Sequence, residues 1–126
     1  MFKEFDDSVT SRMSLINEPM WPTIRQRTQT MNGVARSSID DLPILINELE
    51  TAIERNDQDA LELAAYTIRG VASNFHAKPL MRLADMLEKH HGILSAQELE
   101  RLFVNIESES RQLIAFLRRK VTSIPR

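Results

Sequence analysis

The sequence predicts an all-α protein: an antiparallel up-down four-helix bundle preceded by a short extra N-terminal helix. Three observations carry that reading. Apolar residues recur at steps of three and four along most of the chain, and no strict apolar–polar alternation persists. Only 3 glycines and 5 prolines occur in 126 residues, beside many Leu, Ile, Ala, Glu and Arg. The breaks between periodic segments are short, which forces sequential helices to run antiparallel.

The elements follow in order. Phe2, Phe5, Val9, Met13 and Ile16 form one stripe, and Pro19 and Pro22, flanking Met20 and Trp21, end that first helix. Residues 23–35 are ambiguous: Ile24, Thr28, Met31 and Ala35 could share a face, but Asn32-Gly33 argues against it. Ile39, Leu42, Ile46, Leu49 and Ile53 define the next helix. Either Asp40 or Asp41 caps it, with Pro43 in the first turn, or a longer helix passes through Pro43. Asn56-Asp57 ends it, and Asp57 or Asp59 can cap the following one, whose stripe is Leu61, Ala65, Ile68, Ala72 and Phe75. Lys78-Pro79 stops that stripe. Leu80, Leu83, Ala84 and Leu87 make a shorter helix closed at His90-His91-Gly92, where Gly92 suits a left-handed cap. Ser95 then caps the last helix, with Glu98 completing a capping box. Its stripe is Leu99, Leu102/Phe103, Ile106, Ser110, Leu113 and Leu117. The length fits a single domain, read as residues 1–33 packing on a bundle of residues 34–126.

Composition excludes several function classes. The formal charge of −2 argues against nucleic-acid binding. No apolar run approaches bilayer length, and the N-terminus lacks the pattern of a signal peptide. Cysteine is absent, which fits a reducing, cytoplasmic setting and removes disulfides and thiolate metal sites. A freestanding chain is expected, with oligomeric state open. No cofactor is expected and no metal: His90 and His91 diverge on a helix and lack a third ligand. Arg118-Arg119-Lys120 are expected to compensate a helix dipole and the scattered methionines to fill core and edge, while Trp21 is expected to pack its linker onto the bundle, the alternative being an exposed partner anchor.

One surface does not read as a solvated face. With the stripe of residues 61–75 turned inward, Glu62, Tyr66, Arg69, Gly70 and Ser73 share the opposite side. A mid-helix Gly costs roughly 0.5–1 kcal/mol relative to Ala, and a large aromatic sits where water is expected. Either Gly70 admits a neighbouring helix and Tyr66 is half buried, or the face docks a protein with an acidic or phosphorylated surface through Arg69.

The string Ala65-Tyr66-Thr67-Ile68-Arg69-Gly70-Val71-Ala72-Ser73-Asn74-Phe75-His76-Ala77 resembles the signature of bacterial histidine phosphotransfer (HPt) domains, Ala-His-x-Leu-Lys-Gly-x-x-x-x-hydrophobic-Gly-Ala. Leu80, Leu83, Ala84, Leu87 and Glu88 match that family's next helix, and the similarity covers roughly residues 34–120. The resemblance implies a four-helix bundle that carries a phosphoryl group on an exposed His between receiver domains, or from a histidine kinase relay to a receiver. Here Tyr66 stands at the acceptor position, Arg69 replaces Lys, and His76 replaces the second Gly. A phenol with a pKa near 10 is a poor nucleophile at pH 7, and its phosphate ester is too stable to return to a carboxylate. No catalytic residue is therefore expected. The expected role is that of a pseudo-phosphotransfer protein docking a receiver domain or histidine kinase through Glu62, Tyr66, Arg69, Gly70, Ser73 and His76. The alternatives are an active phosphorelay protein with its His replaced, and a helical scaffold acting through the N-terminal segment.

Overall fold

The computed structural model describes the backbone of residues 25–123 and the side chains of residues 31–121. Among these residues the chain forms four α-helices and no strand: α1 (Arg25–Glu54), α2 (Gln58–Ser73), α3 (Lys78–His90) and α4 (Ala96–Ser123), with a 3-10 turn at His91–Ile93. The N-terminal helix expected around Phe2–Ile16 and the packing of Trp21 lie outside the described residues.

Each helix packs on its neighbours in sequence, and α4 returns to α1, closing a ring around one core. The core draws on the stripes read from the sequence, of which Ile39, Ile46, Ile53, Leu83 and Leu99 are only partly buried against it, and adds Ala52, Ala64 and Phe116 from outside them. Leu42, Leu49, Leu61, Ala65, Ile68, Ala72, Phe75, Leu80, Ala84, Leu87, Leu102, Ile106, Leu113 and Leu117 are all buried. Helices α1 and α4, at 30 and 28 residues, outrun α2 and α3, at 16 and 13. At about 1.5 Å per residue the long pair extends some 20 Å beyond the short pair.

The ambiguous stretch 23–35 is helical from Arg25, and α1 continues without interruption through Pro43. Of the two readings open in the sequence, the long helix is the one found. Pro43 is exposed. It has no N–H to offer the Ile39 carbonyl, and its ring crowds that carbonyl. Replacing Pro43 by Ala is expected to stabilise the protein by about 1–3 kcal/mol, read as a rise in the urea midpoint at constant slope.

The turns carry their own signals. Asp57 caps α2, its Oδ1 accepting from the Ala60 N–H at 3.1 Å. Asn56, just before it, takes a left-handed φ of 55°, a conformation Asn tolerates better than most residues. Ser95 and Glu98 form the expected reciprocal box: Ser95 Oγ accepts from the Glu98 N–H at 3.1 Å, and Glu98 Oε1 accepts from the Ser95 N–H at 2.8 Å. These bonds favour the charged carboxylate and hold the Glu98 pKa below its ordinary 4.5. A lowered folded-state pKa means that the stability contributed by Glu98 is present above its ordinary pKa and is lost as pH falls through the lowered one. Glu98→Ala should therefore lower the thermal midpoint at pH 7, and the gap should close under acid.

The expected left-handed cap at Gly92 does not form. No glycine among the described residues has a positive φ. Helix α3 runs instead into the 3-10 turn, closed by a hydrogen bond from the Leu94 N–H to the His91 carbonyl at 3.3 Å, so the chain reverses without a left-handed residue.

Candidate functional site: the exposed face of α2

Helix α2 buries Leu61, Ala64, Ala65, Ile68 and Ala72, which orients its opposite side outward. Tyr66 stands on that side with 57% of its surface exposed. It belongs to the exposed surface of the described bundle.

Gly70 is also exposed. A Cβ built there would meet no atom within 4 Å. No neighbouring helix of the described bundle needs the glycine, so that explanation for it is removed. Ser73, one turn on, donates its hydroxyl to the Gly70 carbonyl at 2.7 Å. Its side chain is thereby folded back on the helix, and the surface beside Tyr66 stays low.

Arg69 differs most from the expectation of a positive charge held ready for a partner. It is engaged within the bundle. Its Nη2 lies 3.0 Å from Glu88 Oε1 and its Nη1 3.9 Å from Asp85 Oδ1, both on α3. The guanidinium carbon sits 5.2 Å from the centroid of the Tyr66 ring, within range of a cation–π contact. Asp85 also receives Lys89 Nζ at 3.0 Å. Tyr66, Arg69, Glu88 and Asp85 thus form one connected row across α2 and α3.

Glu62 is likewise engaged. Its Oε2 lies 2.7 Å from His91 Nε2, joining the first half of α2 to the turn after α3. His91, read from sequence as an exposed terminus, has a side chain only 10% exposed. Its companion His90 points to solvent, and no group of three or more potential metal ligands occurs among the described residues.

His76 does not join this face. Helix α2 ends at Ser73, and His76 lies in the turn to α3 with a left-handed φ of 53°. That conformation, costly for any residue with a Cβ, is the physical reason a glycine suits the position. The structure therefore brings Glu62, Tyr66, Arg69, Gly70 and Ser73 together and sets His76 apart.

Leu63 was not singled out from the sequence. It is 66% exposed, one turn before Tyr66, and borders a shallow groove of about 520 Å³ between α1 and α2, with Leu45, Thr51 and Thr67. The available signal was an apolar residue at offset −3 from Tyr66, off the core stripe.

Among the described residues the fold is a four-helix bundle whose α2 carries Glu62, Tyr66, Arg69, Gly70 and Ser73 on its outward side. The Hpt domain family model matches residues 33–120. The chain belongs to that family, whose members act as phosphotransfer carriers and interact with histidine kinases and receiver domains, and its setting is two-component phosphorelay signalling. Comparison with curated proteins and with solved structures found no match. No described helix is long and apolar enough to cross a membrane.

Proposed function

We propose that this chain is a pseudo-phosphotransfer domain: it docks a receiver domain or histidine kinase through the Tyr66 face of α2 and modulates signalling without carrying phosphate. The observation that carries the reading is the exposed Tyr66 at the acceptor position of an HPt domain, flanked by an open Gly70. The docking surface is kept and the nucleophile is not. An imidazole accepts a phosphoryl group from an aspartyl phosphate and returns it, since both linkages are high in energy. A phenol is a poor nucleophile beside an imidazole, and its ester holds the group too firmly. The group seated over the Tyr66 ring is the Arg69 guanidinium, a cation and not a base.

In this reading Tyr66 and Leu63 supply the apolar anchor and Gly70 with Ser73 permits close approach. The protein competes with a true phosphotransfer domain for the partner, in the cytoplasm. The test is calorimetric titration with receiver domains from the same organism, together with a phosphoryl-transfer assay. Binding without transfer is expected. Binding accompanied by acid-labile phosphate on the wild-type chain would sink the reading.

A further inference from the structure

The cation on the Tyr66 face is already neutralised from within. Helix α2 places Asp59, Glu62 and Arg69 on or beside this face, and α3 places Asp85, Glu88 and Lys89 along its edge, with Lys78 at the far end. Glu62 faces His91 and Lys89 faces Asp85. Arg69, the cation nearest Tyr66, faces two carboxylates at 3.0 and 3.9 Å. The Glu88 side chain is 24% exposed and that of Asp85 37%, so Glu88 is the more confined of the two carboxylates and the closer to the guanidinium. A phosphoryl group brought to Arg69 would have to displace these carboxylates and then lie beside them. Like charges so juxtaposed are strongly disfavoured at an interface.

We infer that Asp85 and Glu88 act as built-in anions that occupy Arg69 where a phosphoryl group would sit, so that the Tyr66 face selects a receiver domain in its unphosphorylated state. The choice of a receiver as partner rests on the function proposed above. The masking of Arg69 does not, and it is tested without any partner.

The first arm follows the Arg69 Cζ resonance, which reports on the two Nη groups that face the carboxylates, by NMR while inorganic phosphate is added at constant ionic strength, in wild type and in the isosteric double variant Asp85→Asn/Glu88→Gln. Circular dichroism and NMR dispersion verify that the variant is folded, and Asp85→Asn alone serves if it is not. The wild-type resonance is expected to show no saturable shift and the variant to show one. A saturable shift in the wild type, or none in a folded variant, would overturn the masking. The second arm measures receiver affinity with and without beryllofluoride, which mimics the aspartyl phosphate. The wild type should bind the free receiver about tenfold more tightly, and the double variant should lose that preference. Equal wild-type affinities would overturn the selection. Absence of any receiver binding would remove the docking reading, and the phosphate arm would still decide the masking.

Discussion

Gly70→Arg is expected to weaken receiver binding severely while leaving the bundle intact. The expected loss is that of a central hot spot, about 2–4 kcal/mol, or roughly thirtyfold to a thousandfold in affinity. The physical basis is the position. Gly70 is exposed, one turn from Tyr66, with open space where a Cβ would project. An Arg side chain there rises into the surface a partner must approach, and adds a charge that the approach would desolvate. The same openness protects the fold. No neighbour has to move, and replacing a Gly in the last turn of α2 with a good helix former gains up to about 0.5–1 kcal/mol. The thermal midpoint should hold or rise slightly as affinity collapses, and that opposite movement separates a docking effect from misfolding. Arg69→Glu is a less clean probe than its place on the helix suggests. It would set a third carboxylate against Asp85 and Glu88 and loosen the α2–α3 contact along with the interface.

Phe75→Ala is expected to cost about 3–5 kcal/mol of stability. Phe75 is 0% exposed and heads the fully buried side chains of the core. It closes α2 at the turn into α3, between the C-terminal end of the helix and the left-handed His76. Truncation removes the ring's burial and leaves a cavity that a turn fixed by Ala77 and Leu80, both buried, cannot collapse to fill. Domains of this size have about 5–15 kcal/mol in total. The variant should therefore melt lower by on the order of 10–25 °C, and a marginal background would leave it partly unfolded. Urea unfolding followed by circular dichroism measures it directly.

The core of this protein was legible because helical periodicity is a repeated signal. Each stripe from Leu42 to Leu117 offers several residues that agree with one another, and burial follows them closely. The caps at Asp57 and Ser95 were legible because they depend on side chains within three residues. What was not legible depends on pairs distant in sequence. Nothing local to Arg69 announces that Asp85 and Glu88 will reach it from α3, and nothing local to His91 announces Glu62, 29 residues away. From sequence alone the face therefore carries a free cation, where the fold supplies a neutralised one. Leu63 escaped for another reason. A single exposed Leu is unremarkable on any helix and gains meaning only once Tyr66 is known to stand beside it. The Gly92 cap failed because Gly permits a left-handed residue without requiring one.

Docking of a two-component partner on the α2 face around Tyr66 can be read by chemical-shift mapping of the full 126-residue chain titrated with an unlabelled receiver domain. The largest perturbations are expected to cluster at Leu63, Tyr66, Arg69, Gly70 and Ser73, and to vanish in Gly70→Arg. A footprint centred on residues 1–33, with α2 unperturbed, would contradict it and assign the function to the N-terminal segment instead.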